Sequence, residues 1–227
     1  MLIGIVGFAN SGKGTFGNFL IKNYNYVSDS FAAPLKDAAS NIFGWPRELL
    51  EGDTPASRHW REQKDNAWAK ALDIKDFSPR KALQLLGTEG GRNVFGPTLW
   101  TTSLLERWKH AGQPDTVITD CRFPIEIKLI RENGGMVYRV KRGPEPGWYQ
   151  MMLFKNKGFA DEEMLELITS MYATHSLPHE SETAWIGCDY DEVIHNNGTL
   201  LELEQEITRL VEGKMQLPLD LSPKKKK

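Results

Sequence analysis

Short apolar runs alternate with amphipathic stretches along most of the chain, a pattern typical of a parallel β-sheet covered by helices on both faces. The apolar runs predict five strands, at residues 2–6, 26–30, 116–119, 136–140 and 191–195. The amphipathic stretches predict helices at residues 11–23, 34–43, 61–72, 79–86, 99–110 and 125–132. We therefore predict an α/β fold with a five-stranded parallel sheet, in which ligands bind at the carboxyl ends of the strands.

Capping residues define the predicted limits of two helices. Ser78 suits the N-cap of the helix at 79–86, and Gly87 is expected to end that helix. Thr199 is expected to cap a last helix, which is amphipathic. Its predicted core face consists of apolar residues at helical spacing: Leu200, Leu203, Ile207 and Leu210.

Residues 141–187 interrupt the alternation of strands and helices. The segment begins with Lys141-Arg142 and a stretch rich in glycine and proline, and one short helix is predicted within it, at residues 161–172. This composition favours a loop-rich covering element, which we interpret as a lid inserted into a single domain of residues 1–220. Residues 221–227 form a basic tail, which we interpret as a solvated end.

Length, charge and cysteine content limit the functions that this fold could serve. A chain of 227 residues suits one α/β domain, and its net charge of −2 lacks the basic excess that stable nucleic acid binding requires. Cys121 and Cys188 form neither a disulfide framework nor a metal-binding spacing, which favours reduced thiols and a cytoplasmic location. No apolar stretch is long enough to cross a membrane. The oligomeric state stays open, with a homodimer among the options.

A glycine-rich loop lies between the first predicted strand and the first predicted helix. Residues 7–15 read Gly-Phe-Ala-Asn-Ser-Gly-Lys-Gly-Thr, with the G-x-x-x-x-G-K spacing of a phosphate-binding loop. Glycines let backbone N–H groups turn towards phosphate oxygens, the helix N-terminus favours the same anion, and the lysine adds positive charge at the β- and γ-phosphates. We therefore predict an ATP site formed by residues of this loop: Asn10, Gly12, Lys13, Gly14 and Thr15.

The end of this loop departs from the strict motif. Gly14 stands where a serine or threonine usually binds Mg²⁺, and a hydroxyl follows one position later, at Thr15. A G-K-G-T ending resembles nucleoside monophosphate kinases of the adenylate kinase type. We therefore expect Mg²⁺ mainly on phosphates and water, with Thr15 and Asp120 as its protein ligands, directly or through water.

Polar residues beyond the loop predict a second phosphate site, which a kinase needs for its acceptor. Arg80 and Gln84 lie four residues apart on one helix face, and Arg92 follows after a glycine-rich turn. Lys36 lies just beyond the second predicted strand, and an Asp-x-Arg sequence at residues 120–122 ends the third. The N-K-x-D base reader of a GTPase is missing from the sequence.

Three segments carry a more particular resemblance. L-Q-x-x-G-T-E-x-x-R at residues 83–92, D-x-R-F-x-x-E at 120–126 and H-x-S-E at 179–182 resemble the phage-type deoxynucleoside monophosphate kinases, in order along the chain. The resemblance extends from residue 2 to about residue 211 and implies a P-loop kinase fold that phosphorylates deoxynucleotides with ATP for DNA synthesis. It also implies a location in the cytoplasm of a host cell if the chain is of phage origin.

The resemblance places a set of residues near the acceptor or the transferred phosphate: Lys36, Arg80, Gly87, Thr88, Arg92, Trp100, Asp120 and Arg122. We add Gln84, His179 and Glu182 to the acceptor site. Each has a structural alternative, since an arginine can pair with an acid on a helix surface and Trp100 can belong to the core.

The predicted mechanism is phosphoryl transfer from ATP to a nucleoside monophosphate with Mg²⁺ as cofactor. Lys13, Asp120, Arg122 and Arg142 are the predicted catalytic residues, and Arg142 is expected to reach the phosphates when the lid closes. Two alternatives remain open. One is another small-molecule kinase of the same fold, such as a dephospho-coenzyme A kinase. The other is a P-loop ATPase module that drives a conformational change in a partner.

Overall fold

A single parallel sheet forms the centre of the protein. The structure, a computed structural model, describes residues 1–174 and 176–215, and the predicted tail at 221–227 lies outside them. The strands of the sheet are Leu2–Val6 (β1), Val27–Asp29 (β2), Thr116–Ile118 (β3), Met136–Lys141 (β4) and Glu192–His195 (β5). All neighbouring strands run parallel in the order β2-β3-β1-β4-β5, which confirms the predicted sheet. The carboxyl end of β1 therefore lies between those of β3 and β4.

Helices connect these strands and cover both faces of the sheet. The α-helices of the described residues are Lys13–Tyr24 (α1), Ala33–Phe43 (α2), Pro55–Glu62 (α3), Asn66–Leu72 (α4), Pro79–Gln84 (α5), Asn93–Phe95 (α6), Leu99–His110 (α7), Pro124–Glu132 (α8), Tyr149–Lys157 (α9), Glu162–Ala173 (α10) and Leu200–Met215 (α11). Short 3₁₀ helices lie at Arg47–Leu50 and Glu180–Glu182. None of the helices in residues 1–174 and 176–215 combines the length and apolar composition needed to span a membrane.

The helix predicted at residues 61–72 is wrong, because the chain forms α3 and α4 there. Thr54 caps α3 by accepting a hydrogen bond from the backbone N–H of Ser57, so the first helix begins earlier than predicted. The carboxylate of Asp65 accepts a hydrogen bond from the backbone N–H of Trp68 at 3.0 Å and begins a second helix. Aspartate side chains compete in this way with a continuing helix, which explains the break.

Gly87 does not end the helix that begins at Pro79, contrary to the prediction. The backbone continues from α5 into a π-helical segment, Leu85–Arg92, and then into α6. The carbonyl oxygen of Gly87 accepts a hydrogen bond from the indole N–H of Trp100 at 2.9 Å. Short π-helical segments are rare and often lie at functional sites, so the residues of this segment are candidates for a functional role.

Two apolar clusters cover the faces of the sheet. The buried side chains of Phe16 and Ile207 belong to the cluster that packs α1 and α11 on one face. The opposite face holds α7 and α8, together with α9 and α10. In α11, Leu203, Ile207 and Leu210 are buried as predicted, whereas Leu200 is 59% exposed because it lies in the first turn and points away from the sheet.

The prediction of a loop-rich insertion with one helix is wrong for residues 141–187. This segment forms both α9 and α10, and its side chains Met152, Ile168 and Trp185 are buried in the same cluster as Leu2 and Val6 of the central strand. The Pro-Gly sequence at residues 146–147 suggested a loop, but it only precedes the first turn of α9. Both helices of the segment and its end at Trp185 therefore contribute side chains to the core, which limits what could move as a lid.

A third cluster, rich in aromatic residues, packs α2, α3, α4 and α5 together beside the sheet. Trp45 stacks on Phe43 with ring centroids 4.4 Å apart, and Phe77 lies 5.4 Å from the same ring. Trp60 of α3 meets Trp45 edge-on at 6.1 Å. Aromatic pairs of this kind add to the free energy of burial. This separate small core holds the helices that carry the candidate acceptor-binding residues.

Candidate active site

The glycine-rich loop joins β1 to α1 in a tight turn. Asn10 and Gly12 have left-handed backbone conformations, with φ angles of 61° and 110°. Gly12 is the N-cap of α1, and helix N-termini leave backbone N–H groups without intrahelical partners. The loop therefore offers N–H groups and the positive end of a helix dipole at one place, which is the arrangement that binds phosphate. Asn10, Gly14 and Thr15 are all exposed at its surface.

Two neighbouring segments fix the position of this loop. The side-chain amide of Asn196 donates a hydrogen bond to the carbonyl oxygen of Ser11 at 2.8 Å. A Cβ atom at Gly12 would lie only 2.4 Å from the same amide nitrogen, so a side chain is excluded there by space as well as by φ. On the other side, the Phe8 ring packs edge-on against Trp148 and Trp185, with centroid distances of 5.6 and 4.9 Å.

Lys13 is held within the loop by two backbone carbonyl groups. Its ammonium group donates hydrogen bonds to the carbonyl oxygens of Gly7 at 2.7 Å and Phe8 at 2.8 Å. Burial lowers the pKa of Lys13 to about 8, opposed by the carboxylate of Glu182 and assisted by the positive charge of Arg122. An anionic phosphate placed in the loop would favour the charged form of this lysine.

A cleft of about 670 Å³ lies beside the loop, between the carboxyl ends of β2 and β3 and the helices of the aromatic cluster. Most of the predicted acceptor-site residues line it: Lys36, Arg80, Gln84, Gly87, Thr88, Arg92, Trp100, Asp120, Arg122 and His179. Glu182 does not line the cleft but forms an ion pair with Arg122 at its rim. The structure thus brings predicted residues from five separate parts of the chain into one cavity beside the phosphate loop.

The predicted cations of the cleft all have carboxylate partners. Arg80 lies 3.8 Å from Glu62, in a pair that is largely exposed and therefore weak. Arg92 lies 3.6 Å from Glu126, and its guanidinium group also stacks over the Phe123 ring at 4.1 Å. Lys36 pairs with Glu51 in the same manner, and Arg122 with Glu182.

Asp120 lies in the cleft at the end of β3 with its carboxylate only partly satisfied. One oxygen accepts a hydrogen bond from the backbone N–H of Phe31 and the other from that of Ala32, both at 3.2 Å. Burial raises the pKa of Asp120, while the positive charge of Lys36 and the two backbone donors oppose that shift. A carboxylate has about four acceptor positions, so each oxygen keeps capacity for a further ligand.

Glu126 is a site residue that we did not single out from the sequence. Its buried carboxylate accepts hydrogen bonds from the backbone N–H groups of Arg122 at 2.7 Å and Phe123 at 3.1 Å. Burial and the neighbouring charge of Asp120 raise the pKa of Glu126 to about 7. Through these contacts and its pair with Arg92, Glu126 orients two of the arginines in the cleft. Its place at the last position of the D-x-R-F-x-x-E segment is the sequence feature that could have identified Glu126.

Trp100 forms part of the cleft wall against the π-helical segment. An added Cβ at Gly91 would lie 2.8 Å from its ring, and its indole N–H is already occupied by the carbonyl oxygen of Gly87. Thr88 is exposed on the same segment and lines the cleft. The tryptophan therefore offers a ring surface, not a hydrogen-bond donor, to a ligand.

The end of the inserted segment reaches the cleft, whereas its beginning does not. His179 caps the 3₁₀ helix Glu180–Glu182 by accepting a hydrogen bond from the backbone N–H of Ser181 at 3.2 Å. Arg142 is exposed, has no ion pair within the described residues and does not line the cleft. The backbone N–H of the next residue, Gly143, donates to the side-chain oxygen of Asn197 at 2.7 Å, which places Arg142 near the loop that supports the phosphate loop.

Comparisons with known proteins agree with this geometry. No family model matches the chain. A mimivirus protein provisionally named deoxynucleotide monophosphate kinase is 29% identical over 231 residues, 96% of this chain and 99% of its own. The deoxynucleoside-5′-monophosphate kinase of Escherichia phage T5 is 30% identical over 181 residues, 58% of this chain and 72% of its own.

Solved structures with a similar course of the backbone are more distant in sequence. Shikimate kinase from Aquifex aeolicus has a TM-score of 0.42 and 13% identity, over 95% of this chain and 98% of its own. Dephospho-CoA kinase from Campylobacter jejuni has a TM-score of 0.41 and 14% identity, over 93% of this chain and 96% of its own.

A phosphate loop and an arginine-lined cleft that share the carboxyl edge of a parallel sheet define a P-loop kinase. The phage T5 relative shows which branch of these kinases is involved, since the similarity covers 72% of that enzyme. The chain belongs to the deoxynucleoside monophosphate kinases.

Proposed function

We propose that the protein transfers the γ-phosphoryl group of ATP to a deoxynucleoside monophosphate, which yields the diphosphate and ADP. The observation that carries this proposal is that the phosphate loop and the acceptor cleft lie next to each other. The phosphate loop and the acceptor cleft meet at the Arg122–Glu182 ion pair, and the charges of both residues act on Lys13. The names of the mimivirus and phage T5 relatives agree with this reaction.

In the proposed mechanism, the loop N–H groups and Lys13 bind the phosphates of ATP. The phosphate of the acceptor lies among the arginines of the cleft, with one oxygen directed at the γ-phosphorus. That oxygen is already a nucleophile, so the reaction needs no strong general base. Positive charge from Lys13 and Arg122 offsets the negative charge that develops on the transferred group.

The residues of the site fit a magnesium ion that is bound mainly by the nucleotide. The described residues contain no group of three or more His, Cys, Asp or Glu side chains that could form a protein cage for a metal. Asp120 supplies one carboxylate with free acceptor capacity, and Mg²⁺ commonly takes one or two carboxylates along with phosphate oxygens and water. Bound there with ATP, the ion would neutralise phosphate charge. The exposed hydroxyl of Thr15 is the other candidate ligand, directly or through water.

A coupled assay of ADP release tests the proposed reaction. Each deoxy- and ribonucleoside monophosphate is offered with ATP and Mg²⁺, and we expect release of ADP that depends on at least one deoxynucleotide. Turnover of dephospho-coenzyme A alone would support the first alternative. Hydrolysis of ATP that no acceptor increases would support an ATPase module. The predicted cytoplasmic location and a homodimeric state stay predictions.

Replacement of Arg80 by alanine should weaken acceptor binding much more than ATP binding. The guanidinium group lies in the cleft on α5, away from the phosphate loop, and its weak pair with Glu62 leaves it free to bind phosphate. Loss of a charge-assisted contact should cost about 2 kcal/mol, or roughly a 30-fold rise in the KM for the acceptor. Lys81→Ala is the matched control, since Lys81 is exposed on the same helix and does not line the cleft. A rise in the KM for ATP alone would reverse the assignment of the two sites.

We also propose that lid movement is confined to the two ends of residues 141–187. The middle of this segment is packed into the main core, through Met152 and Ile168 among others. Residues 142–147, which are exposed or half-buried, flank the phosphate loop, and the turn at 178–182 flanks the cleft. Closure of these ends over bound nucleotides would exclude water and bring Arg142 towards the phosphates.

Hydrogen exchange and an arginine variant test this form of the lid. A bisubstrate inhibitor that joins adenosine to an acceptor nucleoside should slow exchange at residues 142–147 and 178–182 and leave α9 almost unchanged. Arg142→Ala should lower kcat more than it raises either KM, the sign of a contact made in the transition state. Lys157→Ala removes an exposed charge from the same segment as a control. Unchanged exchange together with a silent Arg142→Ala would show that the whole segment is a fixed part of the core.

A further inference from the structure

Arg61 lies in the acceptor cleft, although no motif in the sequence pointed to it. The residue belongs to the last turn of α3, and its side chain lines the cavity together with Arg80 and Arg122. Its guanidinium group donates hydrogen bonds to the carbonyl oxygens of Leu50 and Glu51, each 3.4 Å from one guanidinium nitrogen. Hydrogen bonds of that length are weak.

Arg61 differs from the other cations of the cleft in having no carboxylate partner. Every other lysine or arginine that lines the cavity has a carboxylate oxygen within 4 Å: Lys36, Arg47, Arg80, Arg92 and Arg122. No such oxygen lies within that distance of Arg61 in residues 1–174 and 176–215. Its Nε atom is buried and has no hydrogen-bond partner there. A half-buried guanidinium group in this state costs free energy unless an anion compensates it.

Neighbouring cations add to the electrostatic cost of the charge on Arg61. Burial lowers the pKa of Arg61, and the positive charge of Arg80 adds to that shift, with a smaller contribution from Arg122, while the carboxylates of Glu62 and Glu51 oppose it. Arg61, Arg80 and Arg122 line the same cavity, whereas the carboxylate partners of Arg80 and Arg122, Glu62 and Glu182, do not line it. Repulsion of this kind is relieved when a multiply charged anion binds between the cations.

The backbone holds the Arg61 side chain in place. Gly52 has a φ angle of 69°, and an added Cβ there would lie 1.9 Å from a guanidinium nitrogen of Arg61. The guanidinium group thus occupies the space above a glycine that adopts a left-handed conformation. At the other side, Trp60 anchors α3 in the aromatic cluster by its contact with Trp45. The group is therefore positioned before any ligand binds, which lowers the entropic cost of binding.

We propose that Arg61 binds the phosphate of the acceptor nucleotide, with Arg80 as the second cation of the same subsite. The ligand class is a phosphate monoester dianion, whose oxygens accept paired hydrogen bonds from a guanidinium group. This inference rests on the proposed function and adds a phosphate anchor to it that the sequence motifs do not include.

Steady-state kinetics and equilibrium binding of two acceptor forms test this role. The probes are the deoxynucleoside monophosphate that the wild-type enzyme turns over fastest and the corresponding deoxynucleoside, which lacks the phosphate. For Arg61→Ala we expect the KM and the dissociation constant of the monophosphate to rise about 10- to 100-fold, the range of a lost charge-assisted contact. Binding of the deoxynucleoside and the KM for ATP should stay near the wild-type values. Arg61→Lys should recover only part of the loss, because an ammonium group cannot form the paired contact.

Arg58→Ala is the matched control, since Arg58 lies on the same helix, is exposed and does not line the cleft. Retained binding of the deoxynucleoside shows that the Arg61 variant is folded. An equal loss of monophosphate and deoxynucleoside binding would overturn the inference and assign Arg61 a structural role. An Arg61→Ala variant that binds the monophosphate with wild-type affinity would also overturn the inference. Both results leave the kinase activity of the wild-type enzyme intact, whereas absence of turnover by the wild type would overturn the proposed function itself.

Discussion

Replacement of Lys13 by alanine should reduce kcat at least about 100-fold, because the loss of one preorganised donor to transition-state charge costs about 3 kcal/mol. The fold should survive, since the hydrogen bonds that the ammonium group donates within residues 1–174 and 176–215 go to carbonyl oxygens of the loop itself, those of Gly7 and Phe8. Single-turnover measurement of ADP formation, with thermal unfolding as a check on folding, separates these effects. Lys22→Ala is the control, because it removes the same charge from the far end of α1.

The pH dependence of the wild-type enzyme provides a second readout of Lys13. Its pKa of about 8 means that the side chain loses its charge as the pH rises through that value in the free enzyme. The value of kcat/KM for ATP should therefore decline above pH 8, because this ratio reports the ionisation of the free enzyme. The decline in kcat should occur at higher pH, since bound phosphate favours the charged lysine. A folded Lys13→Ala variant with near-normal kcat would overturn this role of the phosphate loop.

The three central strands of the sheet could be predicted from the sequence because they are buried on both faces. A run such as Leu2–Val6, in which every residue is buried, stands out from the helices beside it. The phosphate loop could also be predicted from the sequence, since its function depends on a backbone geometry that only a few residue types permit. In both cases the relevant information is local in the chain.

Two of the errors in the predicted fold share a physical cause, which is that tertiary contacts override local signals. Gly87 has the appearance of a helix stop, but the indole of Trp100 satisfies its carbonyl group, and the backbone continues. Residues 141–187 appeared loop-like by composition, although Trp185 is 1% exposed and belongs to the main core. Neither contact could be derived from periodicity, because each joins parts of the chain that are distant from one another.

The candidate site shows the same division between local and long-range information. Asp120 and Arg122 were predictable, because polar residues at the end of a buried strand lie at the ligand-binding edge of such sheets. The pairing of Arg92 with Glu126 could not be predicted, although both residues belong to segments that carry the family resemblance. Arg61 could not be found at all, since no local pattern in the sequence places the last turn of α3 beside the cleft.

Replacement of Asp120 by asparagine should lower kcat about 100-fold or more at ordinary Mg²⁺ concentrations, if loss of its charge costs about 3 kcal/mol in the transition state. It should also shift the Mg²⁺ dependence of kcat to higher concentration. An amide is a poorer ligand than a carboxylate for a hard cation, while the two side chains have nearly the same size. The measurement is a titration of kcat with Mg²⁺ at saturating ATP and acceptor. Asp115→Asn, at the opposite end of β3, is the matched control.

The alternative to metal binding is a purely structural role for Asp120, and the Asp120→Asn variant distinguishes between these two roles. Its carboxylate oxygens accept hydrogen bonds from the backbone N–H groups of Phe31 and Ala32, which lie in the turn between β2 and α2. An asparagine amide has only one acceptor oxygen, so one of these bonds would be lost and the turn would loosen. If that were the main effect, the variant would show a lower Tm and a higher KM for the acceptor, because Phe31 and Lys36 line the cleft. Its Mg²⁺ titration would then match that of the wild type. A shifted Mg²⁺ titration with an unchanged Tm requires instead that the Asp120 charge acts on the metal, because loosening of the turn changes no ligand of the ion.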